Sequence, residues 1–318
     1  MAIKTLSEVL EAAEAGNYAV GAFNVSDLNQ AVAVLEAAEA ESSPVILQAI
    51  TGNNAYADED RWQQQLRQLM EGYPQVTSVL HLDHGRTVKD CQQAIANGFT
   101  SVMIDGSRRV SDDSPAQLGE NIELTATVTE YAKSCGVSVE GEVGTIGGDA
   151  EDGQIVFTDP DLAEKFVAET GVDALAVAVG TSHGAVKFTS TDMAQRLQVD
   201  LIAKIKHRLP NTYLVLHGSS SIPADAVKSI NAHGGKLPES FGISIPQKQE
   251  GIKQGIRKIN QGTDSHLVWT AALREFLTAN PSVVEPCDPL RETITAMREL
   301  TMKRMRQFGS AGKTEEVS

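Results

Sequence analysis

Short apolar runs recur along the chain, and longer polar stretches with helical periodicity separate them. The runs are rich in aliphatic and β-branched residues, which is typical of buried parallel strands. The stretches between them leave room for the crossover helix that two parallel strands require. The pattern predicts eight strands, at 19–24, 45–48, 79–82, 101–105, 137–142, 174–179, 213–216 and 256–260.

Residues that start and stop helices lie where the intervening helices should begin and end. Thr5 and Glu8 have the spacing of a capping box, and Gly16 follows as a C-terminal stop. Thr87 is placed to cap a helix that ends near residue 98. Another helix is predicted to begin at Pro160, since proline is favoured in a first helical turn, and to end at residue 171.

Eight alternating units favour an α/β fold of the (β/α)8 TIM-barrel type over an open doubly wound sheet. We expect one domain over 1–308, with extra helices at 265–279 and 289–307, and a frayed tail over 309–318. Three segments interrupt the alternation. They are a polar helix with an added loop, a glycine-rich acidic loop typical of a mobile active-site segment, and a long excursion, at 53–73, 144–153 and 231–247.

Composition and charge narrow the classes of function. The 318 residues are 41% hydrophobic, which is enough for a full core, and no apolar run is long enough for a transmembrane helix. A formal net charge of -15 argues against nucleic acid or an anionic membrane as the main partner. Three cysteines without a CxxC spacing, and an acidic amphipathic N-terminus without a signal-peptide core, predict a reduced, cytoplasmic compartment.

Three of the predicted strands run into a histidine that is followed by a glycine. The histidines are His84, His183 and His217, in the segments VLHLDHGR, ALAVAVGTSHG and YLVLHGSSS. The carboxyl ends of barrel strands meet at one face, where TIM-barrel enzymes place their chemistry. Three histidines that converge there would give zinc three protein ligands and one open position. The alternative is that each histidine is a hydrogen-bonded barrel residue.

Carboxylates lie at the same strand ends. Asp83 is beside His84 and is a candidate general base or acid, or else a partner that orients a histidine ligand. Glu142 and Asp105 end the fifth and fourth predicted strands. They are candidates for a second metal position, for orienting a ligand, or for a buried ion pair.

The segment GSSS at 218–221 has the composition of a phosphate-binding loop, with backbone N–H groups and hydroxyls ahead of a predicted helix. It follows the seventh strand, a region where TIM barrels often bind phosphate, and Lys187 would add a positive charge. A metal ion beside a phosphate site suits chemistry that passes through an enolate. The residues alone leave open aldol cleavage of a sugar phosphate, isomerisation and metal-dependent hydrolysis.

Eight motifs span almost the whole chain. They are GAFNV (21–25), SPVILQ (43–48), HLDHG (81–85), SVMIDGS (101–107), VEGEVGTIGG (139–148), DALAVAVGTSHGAVKF (173–188), LVLHGSSS (214–221) and GIRKIN–TD (255–264). Together they resemble the zinc-dependent class II fructose-bisphosphate aldolases, in particular the type of bacterial Calvin-cycle and glycolytic operons. The resemblance implies reversible cleavage of fructose 1,6-bisphosphate to dihydroxyacetone phosphate and glyceraldehyde 3-phosphate.

The resemblance also implies roles for individual residues. Asp83 would exchange the proton of the C4 hydroxyl, and Glu151 in the mobile loop, with Asp149 as its rival, would move the proton on the dihydroxyacetone-phosphate carbon. The implied metal ligands are His84, His183 and His217 for catalytic zinc, with Glu142 near a second metal position. The implied substrate-binding residues are Gly184, Lys187, Gly218, Ser220 and Thr263 at the phosphate, Asn260 at the ketose hydroxyls and Asn24 in the pocket wall.

Members of this family also hold a monovalent cation, Na⁺ or K⁺, near the phosphate, and they form dimers or larger assemblies. A homodimer or homotetramer is therefore expected here, with the cation bound by backbone carbonyls around 179–184 and 218–220.

Departures from the family pattern occur at Ile50, at Asn53 and Asn54, and at Gln261 and Gly262. The resemblance implies that these positions belong to the half of the site that receives the aldehyde. Cleavage of tagatose or sedoheptulose bisphosphate is therefore an alternative. Two further alternatives are a catalytically silent, metal-dependent sugar-phosphate-binding protein and a Schiff-base aldolase that uses Lys187 or Lys258.

Overall fold

Eight parallel strands close into a barrel in the order in which they occur along the chain. The structure, a computed structural model, describes residues 3–112, 114, 116–144, 146, 157–182 and 197–317. The predicted TIM-barrel fold is confirmed, and each predicted strand is found. The strands are β1 Val20–Asn24, β2 Val45–Ala49, β3 Ser78–Gly85, β4 Ser101–Ile104, β5 Ser138–Val143, β6 Ala174–Val177, β7 Tyr213–Leu216 and β8 Ile256–Gln261.

The described residues also form eleven α-helices, most of them on the outside of the barrel. They are α1 Leu6–Gly16, α2 Leu28–Glu41, α3 Glu59–Glu71, α4 Val88–Ala96, α5 Leu118–Ser134, α6 Pro160–Thr170, α7 Val199–Arg208, α8 Ala224–Ala232, α9 Ile245–Lys253, α10 Thr263–Ala279 and α11 Cys287–Phe308. Among the described residues, no helix combines the length and the apolar composition needed to cross a bilayer.

The predicted helix ends are present. Thr5 and Glu8 form the capping box of α1, in which the Thr5 backbone N–H donates to the Glu8 carboxylate at 2.7 Å. Thr87 caps α4. Asp159 caps α6, whose first residue is Pro160, and the helix stops at Gly171, which adopts a left-handed conformation (φ 66°).

Successive side chains of a strand point to opposite faces, so the core has two layers, one inside the barrel and one between the barrel and the helices. In β3, Leu80 and Leu82 pack outward against the helices, while Val79 belongs to the cluster inside the barrel. Helix α1 covers the amino-terminal end of the barrel, where the Ser7 N–H donates to the Ser138 hydroxyl at 3.1 Å. The apolar interior fills this end, so the polar inward positions are left for the carboxyl-terminal end, where TIM barrels carry their sites.

The predicted frayed tail at 309–318 is wrong for the residues that the structure describes. The N–H groups of Gly312 and Thr314 donate to the carbonyls of Glu41 and Ser42, which end α2, at 2.8 and 3.0 Å. Ser310 and Val317 are buried. The short polar sequence suggested fraying, but the end of α2 offers free carbonyls that the tail satisfies.

The structure contains helices in two of the segments that interrupt the alternation. The helix predicted within 53–73 begins only at Glu59, and its inner face buries Trp62, Leu66 and Met70. The excursion at 231–247 leads directly into α9. Of the predicted mobile loop at 144–153, only residues 144 and 146 are among the described residues.

Candidate active site

A bulge in β3 brings two neighbouring side chains to the same site. Neighbours in a strand normally point to opposite faces. Here His84 has φ 51°, a left-handed conformation, and the pairing of β3 with β4 shifts register between Leu82 and Gly85. Because of this bulge, Asp83 and His84 both line the cavity at the carboxyl-terminal end of the barrel.

Three amide side chains hold the Asp83 carboxylate. Asn24 and Gln48 donate to Oδ2 at 2.7 and 3.2 Å, and Asn260 donates to Oδ1 at 3.2 Å. Burial alone would raise the pKa of Asp83, but the His84 imidazole and the Asn24 hydrogen bond keep it below its usual value. Asp83 is therefore ionised and oriented, as a general base must be.

The two described histidines of the predicted zinc site face each other. Nε2 of His84 lies 3.1 Å from Nδ1 of His217. The other nitrogen of each ring contacts a carboxylate: Nδ1 of His84 lies 3.0 Å from Asp105, and Nε2 of His217 lies 2.7 Å from Glu140. Each carboxylate fixes the ring and directs the opposite nitrogen to the shared space.

This donor set fits a zinc ion. Zinc–nitrogen bonds of about 2.0–2.1 Å in a tetrahedron separate two ligand nitrogens by about 3.3 Å, close to the observed spacing. Burial alone would lower the pKa of His84, but Asp83 and Asp105 raise it to about 10. The surroundings thus favour a positive charge where the ion would be bound.

Glu142 and Asp105 complete a second group of metal-ligand type around His84. Burial and the nearby Asp105 charge raise the pKa of Glu142 to about 8. Among the described residues its Oε2 atom is buried without a hydrogen-bond partner. Such an atom fits the expected second metal position, because a cation there would satisfy the oxygen and relieve the repulsion between the carboxylates.

Beneath the histidines lies a buried ion pair. Glu140 and Lys258 are 2.9 Å apart, and both side chains are fully buried. The Lys258 ammonium also donates to the Asn260 side chain at 2.8 Å. The chain of contacts therefore runs from Asp83 through Asn260, Lys258 and Glu140 to His217.

The loop after β7 lines the same cavity, whose volume is about 330 Å³. Gly218 has φ 60°, and a Cβ atom there would lie 2.7 Å from the backbone of Ser182. Only glycine fits this close approach of two loops. The cavity also contains Asn24, Asp83, His84, Ser220, Asn260 and Thr263, which the sequence predicts to be site residues, together with Ile50, Asn53 and Gly262, which the sequence resemblance assigns to the aldehyde half.

Residues 4–313 match the family model of class II fructose-bisphosphate aldolase. The chain belongs to this family.

Known relatives of this aldolase cover its full length. A fructose-bisphosphate aldolase of Nostoc sp. is 44% identical over 100% of this chain and 92% of that protein. One of Stutzerimonas stutzeri is 41% identical over 100% of this chain and 94% of that protein. Among solved structures, the YdjI aldolase from Escherichia coli K12 has a TM-score of 0.77 and 27% identity, covering 98% of this chain and 99% of that chain.

Several predicted site residues of this aldolase lie outside the described residues. They are Glu151 and its rival Asp149 in the predicted mobile loop, and His183, Gly184 and Lys187 after β6.

Sequence reasoning missed two of the residues that shape the aldolase site. Glu140 lies in the VEGEV motif and Gln48 ends the SPVILQ motif, but neither received a role. Both point inward from buried strands. Gln48 follows the inward-facing Ile46 by two residues, and Glu140 precedes the inward-facing Glu142 by two residues. Gln48 in the otherwise apolar β2 was an available signal, whereas Glu140 lies in a strand that also contains Ser138 and Glu142 and gave no such signal.

Proposed function

We propose that this class II aldolase cleaves fructose 1,6-bisphosphate reversibly to dihydroxyacetone phosphate and glyceraldehyde 3-phosphate, using zinc. The observation that carries the proposal is the position of an ionised, threefold hydrogen-bonded Asp83 beside the facing nitrogens of His84 and His217. Asp83 and His84 line one cavity, His217 is buried against His84, and family membership supports the reaction.

Zinc held by His84, His217 and His183 would polarise the substrate carbonyl and stabilise the negative charge that develops on cleavage. Asp83 takes the proton from the C4 hydroxyl, the C3–C4 bond breaks, and glyceraldehyde 3-phosphate departs as the aldehyde. The electron pair of that bond stays on the former C3 carbon. Glu151 then gives this carbon a proton, which yields dihydroxyacetone phosphate.

The remaining residues bind and orient the substrate. Gly218 and Ser220, with Thr263 at the first turn of α10, lie where backbone and hydroxyl donors would hold a phosphate. Gly184 and Lys187 would complete that site. Asn260 donates a hydrogen bond to Asp83 and would also contact the ketose hydroxyls of the substrate.

Cleavage of fructose 1,6-bisphosphate before and after treatment with a chelator tests the proposal. Activity should disappear with the metal and return when zinc is added. Activity that survives complete metal removal would refute the mechanism and direct attention to the lysines.

Gly262 and Ile50 lie in the cavity with Asp83, so the Ile50 side chain and the space left by the absence of a side chain at Gly262 would shape the aldehyde half. Comparing kcat/KM for fructose, tagatose and sedoheptulose bisphosphates tests whether they alter the acceptor. A strong preference for fructose bisphosphate would show that the two departures have no effect on specificity.

Three further features belong to the same proposal. They are a Na⁺ or K⁺ ion near the phosphate, a homodimer or homotetramer, and a cytoplasmic location. Family membership supports the monovalent cation and the oligomer. The three cysteines, all of them free thiols, support the cytoplasmic location.

A further inference from the structure

The phosphate loop after β7 has an unfavourable backbone conformation. Ile222 has φ 53°, which a β-branched side chain rarely adopts. Such a conformation persists only where the surroundings impose it. The loop therefore needs support from the residues packed behind it.

One support is the chain segment that enters α9. The Ile243 N–H donates to the Ser220 carbonyl at 3.1 Å. A Cβ atom on Gly242 would lie only 2.1 Å from the same carbonyl oxygen, so the two backbones are in direct contact. The excursion at 231–247 thus reaches the phosphate loop from behind.

The other support is a cluster of three buried charges. The Lys248 ammonium donates to the Ser221 hydroxyl at 2.8 Å, and the Asp264 carboxylate accepts the Ile222 N–H at 2.9 Å. The second oxygen of Asp264 accepts from the Arg304 guanidinium at 2.9 Å. Lys248 and Asp264 are fully buried, and Arg304 is 5% exposed.

Among the described residues, two cations and one carboxylate give this cluster one net positive charge. Arg304 pairs directly with Asp264, and Lys248 is the cation of the cluster that contacts the loop. Its ammonium group contacts Ser221, which is next to Ser220 in the cavity wall. A buried charge is poorly screened and acts over several ångströms, which includes the space in front of the loop.

We propose that Lys248 is a positioning residue for phosphate binding: it holds Ser221 and supplies positive potential behind the loop that receives the substrate phosphate. The inference rests on the proposed function, because that function places a phosphate in front of residues 218–220. Lys248 does not touch the phosphate. It acts through the loop and through its charge.

The test compares Lys248→Met and Lys248→Gln with a matched control, Lys253→Met. Lys253 lies on the same helix, but its side chain is 64% exposed and pairs with Glu250. The control removes the same charge far from the loop. Calorimetric titration of zinc-loaded enzyme with dihydroxyacetone phosphate, and with unphosphorylated dihydroxyacetone, measures binding with and without the phosphate.

We expect both Lys248 variants to bind dihydroxyacetone phosphate about tenfold more weakly. Binding of dihydroxyacetone should not change, KM for fructose 1,6-bisphosphate should rise, and kcat should change much less. The control variant should match the wild type. Lys248→Gln keeps a donor for Ser221, and it decides the question if Lys248→Met does not fold.

Wild-type affinity for dihydroxyacetone phosphate in both Lys248 variants would overturn the inference and leave the proposed function intact. Equal losses for the phosphorylated and unphosphorylated ligands would also overturn it, because they would indicate a general structural defect. If the wild type binds no dihydroxyacetone phosphate, the proposed function fails. Titration of the same variants with inorganic phosphate then decides the role of Lys248.

Discussion

Nε2 of His84 and Nδ1 of His217 lie 3.1 Å apart, although the residues are 133 positions apart in the chain. Neither ring is free to turn away, since a carboxylate contacts the opposite nitrogen of each. The positions of the two nitrogens are thus set before any ion binds, which lowers the cost of ordering ligands.

Replacing either histidine by alanine should remove the metal. We expect His84→Ala and His217→Ala to be purified with far less than one zinc per chain and without aldolase activity, because two ligands hold the ion poorly. His207→Ala, at an exposed position of α7, is the control and should keep its zinc. Metal analysis of the purified proteins gives the answer. Full zinc content in both active-site variants would show that the facing nitrogens are not ligands.

Glu140 should contribute to metal affinity without being a ligand. Glu140→Gln removes the charge that orients His217, and zinc should bind about 10–100-fold more weakly in competition with a chelator. The substitution also leaves Lys258 buried without its partner, so the free energy of unfolding should fall by about 3–5 kcal/mol.

The double variant Glu140→Gln, Lys258→Met separates these two effects. It contains neither buried charge, so it should recover part of the lost stability in urea unfolding. It should not recover the zinc affinity, since the carboxylate that holds His217 is still missing. Recovery of both quantities together would contradict a specific role for Glu140.

Asp83→Asn should abolish the cleavage step alone. Removing a general base typically lowers the rate by about 10²–10⁴-fold, and asparagine keeps the size of the side chain. Zinc content should be unchanged. Exchange of the dihydroxyacetone-phosphate proton with solvent, followed by NMR, should persist because Glu151 is assigned to that step. Loss of exchange in parallel with cleavage would mean that Asp83 serves both protons.

Asp264 should make stability depend on pH in the acid range. Burial alone would raise its pKa, but Lys248 and Arg304 hold the pKa below the ordinary 3.8. A lowered folded-state pKa stabilises the protein at every pH above the ordinary value, and that stabilisation is lost as the pH falls through the folded-state pKa.

Asp264→Asn should therefore be less stable than the wild type by about 3–5 kcal/mol at pH 7, since it leaves two cations without their carboxylate. The difference should shrink as the pH falls below about 3.8. Urea unfolding between pH 3 and pH 8 measures it. Asp200→Asn, at an exposed position of α7, should follow the wild type throughout. A constant difference at all pH values would show that the Asp264 charge is not responsible.

The barrel could be predicted because its signal is local. Parallel strands buried on both faces are continuous apolar runs, and the helices between them carry their own caps, as Thr5 and Asp159 show. Asp83 and His84 could be predicted as a pair because the apolar run before them stops at an acid and an imidazole. The family motifs then gave each of them a role.

The network behind the site could not be predicted, because it depends on contacts between distant strands. Glu140 matters only since β7 and β8 bring His217 and Lys258 to it. The sequence around a glutamate in a strand does not indicate which distant residue it contacts. The order of the C-terminal tail could not be predicted for a similar reason. Its hydrogen-bond acceptors lie at the end of α2, near the opposite end of the sequence.

The bulge at the end of β3 directs two covalently linked residues, the proposed general base and a proposed metal ligand, into one site. Asp83 and His84 share a peptide bond, so the distance between their backbones does not depend on the packing of any distant element. If the barrel expanded or fluctuated slowly, the proposed proton acceptor Asp83 and the proposed metal ligand His84 would move together and keep their alignment. The same linkage limits redesign, since neither group can be shifted toward a new substrate without displacing the other.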